Sequence, residues 1–344
     1  MQKIIAEIDT EKLRYNAKLF KERSGAKLCA VVKANAYGHG DIGCVSALSK
    51  VADYFAVALV EEALSIKLAA AGKEIWVLTP PTDCETVLIA AQNGFTLCVA
   101  DYPSAKRIVS VAERYGVDVK VHIKLNTGMN RYGLGSKNLF KVCRYLAAHP
   151  LVHVTGMYSH LYAHTQVGAQ AQRGVFDRLR AVCLSYFPNA ISHLSATYGA
   201  AQGKEFSYDA VRIGLGLYGY LPEGEYVEKP ELQKVMKAYA ECVTTRRYSF
   251  GGVGYGEAVG KPKRLSVVRI GYADGCGHEN TKGYRGLQGL ANSFCMDACI
   301  VEKRLRQGKK VLVFDDAEEV ARARGTISYE VLCLIGMRAE WIYL

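Results

Sequence analysis

LCAVVKANAYGHG, residues 28–40, runs from a short apolar segment through Lys33 into small residues, a tyrosine and two glycines. The apolar run has no polar alternation, which is how a strand buried on both faces reads. Lys33 closes it. A lysine is a weak nucleophile near neutrality unless it is desolvated or set beside another cation. A surface lysine ending an edge strand is the other reading, and this stretch alone leaves both open. Its neighbours lean one way. Tyr37 can offer a hydroxyl to an anion, and Gly38 and Gly40 let backbone approach closely. That setting suits an aldehyde cofactor carrying a phosphate.

Outward from this stretch the pattern repeats. Strand-like runs follow at 54–60, 74–80, 95–100, 117–125, 151–160, 190–196 and 210–219. Amphipathic, helix-like stretches lie between them, such as 61–72, 137–149 and 170–184. Eight strands alternating with helices predict an α/β fold, a (β/α)8 TIM-like barrel. A doubly wound sheet shares the local pattern. Lys33, Lys124, His160 and Ser195 fall where strands end, the face on which barrels of this kind carry their sites. After LPEGEYVEKPE (221–231) the character shifts to strand-like runs separated by glycine-rich turns. We expect the barrel over 9–225 and a mostly-β domain over 226–344, joined by an N-terminal strand from 1–8. FCMDA (294–298) and ISYEVLC (327–333) read as strand-like fragments.

Composition narrows the classes. Half of the residues are hydrophobic and 22% are charged, an ordinary soluble balance. No apolar run reaches the roughly 18 residues of a membrane span, and MQKIIAEIDT lacks a signal-peptide pattern, so we expect a cytoplasmic protein with no membrane segment. The formal charge of +11 is scattered, with short basic runs at 261–264 and 304–310 and no interleaved aromatics, so no nucleic-acid partner is expected. Eleven cysteines without a CxxC pair read as reduced thiols. His160 and His164 are spaced to share a helix face, but no HExxH accompanies them and no metal is expected.

Other residues carry possible chemistry. Arg131, in the glycine-flanked NTGMNRYG (126–133), can clamp a carboxylate with paired hydrogen bonds, or can simply sit in solvent. Arg212 lies inside the apolar run of 208–219, where it needs a buried partner. Gly214 and Gly216 leave backbone N–H groups able to approach a phosphate. Ser195 could add a hydroxyl, although a helix N-cap is an equally plain reading. Tyr255 stands between glycines in GGVGYGEAVG (251–260), a loop that can project a phenol beyond its own domain or fold it back.

Together, VVKANAYGHG, HIKLNTGMNRYG, GMYSHL, HLSA, VRIGLGLYG, VGYGEA, IGYADG, FCMD and SYEVLC, in this order from residue 31 to 333, resemble the alanine racemase family of barrel-type pyridoxal-phosphate enzymes. The resemblance implies pyridoxal 5'-phosphate as cofactor and a small amino acid as substrate. Lys33 would hold the cofactor as a Schiff base. Tyr37, Ser195, Tyr329 and the backbone at Gly214 and Leu215 would hold its phosphate. Arg212 would face the pyridine nitrogen, and His160 would lie by the ring and hydrogen-bond Arg212. Arg131 and the Met296 backbone would receive the substrate carboxylate, with Tyr272 beside them. Lys124 resembles a lysine that is often carbamylated in the family and braces that arginine. Tyr255 would reach the neighbouring subunit's site, which implies a homodimer with shared active sites.

Racemisation needs a base on each face of the substrate Cα, and Lys33 and Tyr255 are the implied pair. Alanine is the expected substrate, since Tyr329 would wall the side-chain pocket. A serine or broad-specificity racemase, a barrel-type decarboxylase and a cofactor-binding protein without activity are the alternatives. The chain departs from the family pattern at four positions. Ser293 and His278 stand where arginines are usual, and Thr165 and Asn126 where aspartates are usual. The first three fall near the expected substrate corridor.

Overall fold

The computed structural model describes residues 4–256, 263–278, 283–290 and 293–344. Residues 1–3 of the expected first strand, the end of VGYGEA (257–258) and the start of KPKR (261–262) lie outside the described residues. The chain divides into two compact units. One comprises 13–34 and 41–233, the other 1–12, 35–40 and 234–344.

In chain order the elements begin with β1 (Ile4–Ile8), α1 (Thr10–Ser24), β2 (Lys27–Val31), α2 (Lys33–Tyr37), α3 (Asp41–Leu48), β3 (Tyr54–Val57) and α4 (Val60–Ile66). There follow β4 (Ile75–Val77), α5 (Cys84–Gln92), β5 (Leu97–Val99), α6 (Tyr102–Tyr115), β6 (Val119–Lys124), α7 (Ser136–Ala147), β7 (Val152–Tyr158) and α8 (Gln166–Tyr186). Then come β8 (Ile191–His193), α9 (Thr197–Ala201), β9 (Ala210–Ile213), a 3-10 turn (Leu215–Tyr218), β10 (Met236–Tyr248) and β11 (Lys263–Val268). The chain closes with β12 (Cys299–Val301), β13 (Lys310–Phe314), α10 (Ala317–Arg324), α11 (Ser328–Gly336) and β14 (Ala339–Tyr343).

The first unit is α/β. Strands β4-β3-β2-β9 form one parallel sheet and β5-β6-β7-β8 another. A parallel bridge, Trp76 to Thr96, links β4 to the residue before β5. At the other side Asp209 N donates to Ser192 O (3.0 Å) and Arg212 N to Ser195 O (3.0 Å), linking β8 to β9. Strands β2, β4, β5 and β9 are short and almost wholly buried, so their apolar runs carry no alternation. The helices cover these strands with one apolar stripe each. In α6 the stripe is Ala105, Ile108, Val109 and Ala112. Asp101 caps that helix by accepting from Ser104 N, and Gly116 ends it at φ 62°. Each of the eight sequence-derived strand segments meets an observed strand; seven contain theirs whole, and β2 begins one residue earlier, at Lys27.

The second unit is built on β10, which pairs antiparallel with β1, β11 and β13. β14 pairs parallel with β1, and β12 pairs antiparallel with β11. Two readings change here. ISYEVLC is not a strand: residues 328–336 are α11, with Val331, Leu332 and Ile335 buried on one helical face. FCMDA forms no strand either. It is a turn whose Cys295 and Met296 carbonyls accept from Tyr272 N (3.1 Å) and Ala273 N (3.0 Å).

Candidate active site

Lys33 lies two residues past β2 and is partly buried. The chain then does something its sequence does not announce. Ala34, Asn35, Ala36 and Tyr37 all take φ between 51° and 54°, so α2 is a left-handed turn without a glycine in it. Such a conformation costs roughly 1–2 kcal/mol per residue and persists only where surroundings impose it. Ala34 N donates to Glu62 Oε1 (2.7 Å). Farther on, Gly40 N donates to Asn35 O (3.1 Å), Trp341 Nε1 to Gly38 O (2.8 Å) and Tyr343 OH to His39 O (3.2 Å). Gly38 has no room for a side chain, since a Cβ would lie 2.1 Å from Leu332 O.

In the α/β unit, cations converge on His160. Its imidazole is held well below the ordinary range by burial first, then by Arg212, Lys124, Arg131 and Lys33. Lys124, 5% exposed, is pushed well down by burial and then by Arg212, with Cys98 opposing and Arg131 adding. The Tyr158 ring takes both cations against it, Lys124 Nζ at 4.6 Å and Arg212 Cζ at 5.3 Å from its centroid. Arg131 is exposed, its guanidinium 5.1 Å from the Tyr132 ring. No carboxylate stands among the groups that perturb Lys124 or Arg212. Buried charge without a counter-charge is costly, and an anionic ligand would offset it.

Arg212 is satisfied as a donor instead. It donates to the carbonyls of Ser159 (2.5 Å), His193 (3.0 Å) and Leu194 (3.2 Å), and to His193 Nδ1 (2.8 Å). A guanidinium can only donate, so His193 Nδ1 accepts and its proton sits on Nε2. Nε2 then donates to His122 Nδ1 (3.0 Å), which fixes the second tautomer as well. The imidazole bonded to Arg212 is thus His193, not His160 as the resemblance implied. His160 and His164 do not share a helix face, since both lie in the loop between β7 and α8.

Ser195 is not a helix cap. It is fully buried and its hydroxyl donates to Phe206 O (2.6 Å), while Ala196 occupies the N-cap of α9. Gly214 and Leu215 are buried, and among the described residues their N–H groups meet no acceptor. Buried N–H groups are nearly always paired, so two adjacent orphans mark a place for an acceptor that the chain does not supply.

In the β unit, the Tyr37 and Tyr329 rings lie 5.9 Å apart, and burial raises the Tyr329 phenol. Tyr272 and Met296 are brought together by the backbone bonds given above. Gly271 permits this, because a Cβ there would meet Met296 O at 2.2 Å. Arg338 braces the same turn through Asp297 (2.9 Å) and Asp274 (3.3 Å). Tyr255 stands apart, 81% exposed.

The four departures have local roles or settings. Asn126 Oδ1 accepts from Gly128 N (3.0 Å) and Asn130 N (3.2 Å), shaping the loop that carries Arg131. Thr165 is the N-cap of α8, accepting from Gly168 N. His278 places its ring 5.9 Å from that of Tyr272. Ser293 is partly buried in a bend. Among the described residues no trio of His, Cys, Asp or Glu could hold a metal ion.

Sequence reading missed His122, His193 and Tyr158. One signal was available for His122, which shares a strand face with Lys124 by the period of two. Burial and then Arg212 push His122 down to about 3. In the unfolded chain it titrates near 6.5. The unfolded state therefore binds the extra proton between these values, and stability is complete above pH 6.5 and falls as pH drops toward 3. The loss from this one group is about 2 kcal/mol between pH 6.5 and 5. Urea titrations across that range should show it. His122→Asn, which keeps an acceptor for His193, should flatten the slope; an unchanged slope contradicts the assignment.

Parallel strands whose ends gather Lys33, the buried Lys124 and Arg212, and the N–H groups of Gly214 and Leu215 define an α/β protein of the enzyme class. Family comparison agrees. The model of the alanine racemase N-terminal domain matches residues 8–222, and that of the C-terminal domain matches 235–343. The chain belongs to the alanine racemase family, a family of isomerases. It is 31% identical to the alanine racemase of Desulfovibrio desulfuricans, over 98% of this chain and 97% of that one. Its structure is similar to the Clostridium difficile 630 alanine racemase, with a TM-score of 0.90, 27% identity, and 100% and 96% of the two chains covered. It is also similar to the Bartonella henselae alanine racemase with covalently bound pyridoxal phosphate, with a TM-score of 0.85, 26% identity and full cover of both chains.

Proposed function

We propose that this chain interconverts L-alanine and D-alanine with pyridoxal phosphate, using Lys33 and Tyr255 as opposed bases. The observation that carries this reading is the burial of Lys124 and Arg212 beside His160, with Lys33 and Arg131 near the same ring and no carboxylate among the groups that perturb Lys124 or Arg212. The residues present fit the cofactor. Lys33 would hold it covalently, and Tyr37, Ser195, Tyr329 and the N–H groups of Gly214 and Leu215 would take its phosphate. Ser195 must turn its hydrogen from Phe206 O to donate there. Arg212 and His160 would lie at its ring. When bound, the cofactor supplies the electron-withdrawing ring that loosens an amino acid's Cα proton.

The remaining work falls to side chains. Arg131 binds the substrate carboxylate through paired donors, with the Met296 backbone and Tyr272 beside it. Lys124 braces Arg131, and its buried amine, held toward the neutral form, suits carbamylation. Lys33 Nζ takes or returns the Cα proton on one face, and the Tyr255 hydroxyl oxygen does so on the other. The exposure of Tyr255 supports a homodimer in which the partner subunit's Tyr255 completes each site. The closed succession of strands from β2 to β9 and back supports a (β/α)8 barrel. The two family segments support a division near 226–234, with the N-terminal strand counted in the β domain. Among the described residues no helix is long and apolar enough to cross a membrane, and we place the activity in the cytoplasm.

Tyr329, set against Tyr37, is the proposed wall of the side-chain pocket. Parallel incubations with L-alanine and L-serine, followed by chiral chromatography, test the substrate. Alanine should be preferred by roughly 10–100-fold in kcat/KM, the scale that one small group commands in a tight pocket. Equal or faster turnover of serine would replace alanine by a broader substrate class.

A further inference from the structure

The buried stripe of α8 is Ala169, Gln172, Phe176, Leu179 and Cys183, at spacings of three and four. Gln172 is the polar member, and it is 4% exposed. An unpaired amide there would cost about 1–3 kcal/mol, so its partners matter. It has four. Nε2 donates to His160 O (2.6 Å) and to Thr127 Oγ1 (2.7 Å). Oε1 accepts from Tyr162 N (3.1 Å) and Ala163 N (3.3 Å). Two backbone N–H groups require an oxygen, so the amide can face only one way.

That orientation sets the direction of a chain of hydroxyls. Thr127 Oγ1 receives from Gln172 and so gives its own hydrogen to Ser159 Oγ (2.7 Å), which donates to Leu125 O (2.8 Å). The chain therefore ties together the ends of β6 and β7. Lys124 precedes Leu125, Arg131 lies in the loop that Thr127 begins, and Ser159 O receives Arg212 Nη2 at 2.5 Å. The same amide holds the His160 carbonyl and the N–H groups of Tyr162 and Ala163, all within the loop that carries His160.

We propose that Gln172 is a positioning residue for the active site. It fixes the His160 loop and, through Thr127 and Ser159, the backbone that presents Lys124, Arg131 and Arg212. It touches neither substrate nor cofactor. This inference rests on the racemase reading above.

The test compares full-length wild type, Gln172→Met and Gln172→Glu, each loaded with pyridoxal phosphate. Methionine removes all four bonds at similar volume. Glutamate keeps the acceptor for Tyr162 and Ala163 but sets a carboxylate against His160 O. Both variants should lower kcat by roughly 10–100-fold with little change in KM, as misplacement without lost substrate contact does. Burial favours the neutral carboxyl, which donates again. The activity of Gln172→Glu relative to wild type should therefore rise as pH falls from about 8 to about 6, while that of Gln172→Met stays level. Without cofactor, hydrogen exchange at the Tyr162 and Ala163 amides should quicken in Gln172→Met and stay slow in Gln172→Glu. Wild-type kcat in both variants, or an equal and pH-independent loss in both, would overturn the proposal while leaving the racemase reading in place. Wild type that racemises no alanine would overturn both.

Discussion

Tyr255→Phe should keep the cofactor and lose racemisation, by roughly 10²–10⁴-fold, the range that a positioned acid–base group contributes. The substitution removes one oxygen from a side chain that is 81% exposed. The effect on stability should accordingly stay within about 0.5 kcal/mol. Loss should be similar in both directions, because each direction uses the phenol once, as base or as acid. Absorbance of the bound cofactor should be unchanged. Retention of near-normal turnover would remove Tyr255 from the mechanism and leave a single base.

Lys33→Ala should have the larger effect, loss of covalent cofactor attachment and of racemisation by about 10⁴-fold or more. Reduction with borohydride followed by mass spectrometry reads the attachment directly. Wild type should carry the reduced adduct on the peptide containing Lys33, and the variant none. An adduct on Lys124 instead would move the tether to the buried lysine of this face. The fold should survive, since Lys33 opens the left-handed turn and its φ is not among the positive ones. The two variants also test subunit sharing. In hybrids of Lys33→Ala with Tyr255→Phe, one of the two sites has both bases intact. A co-expressed mixture should thus regain about a quarter of wild-type activity. No recovery would assign both bases to one chain.

Much of the fold was legible because strands buried on both faces leave uninterrupted apolar runs, and helices between them leave stripes. Lys33 was legible as a charge at the end of such a run. What stayed hidden depends on contacts between distant parts of the sequence. ISYEVLC is β-branched and apolar enough to read as a strand, and only its burial on a helical face shows otherwise. The left-handed turn at 34–37 carries no glycine, so nothing local signals positive φ. The residues just after it, Gly38 and His39, are held by Trp341 and Tyr343, 303 and 304 positions away. The His193–His122 pair follows from Arg212 needing acceptors, and both rings are buried beneath it. Gln172 looked like one more polar residue on a long helix until its stripe was seen to be buried.

Incubation of wild type with L-alanine in heavy water tests the central claim most directly. D-Alanine should accumulate to parity with L-alanine, carrying one solvent deuterium at Cα, because the Lys33 amine and the Tyr255 phenol both exchange with solvent. Carbon dioxide and ethylamine in place of D-alanine, or recovery of L-alanine with no D-enantiomer formed, would contradict it.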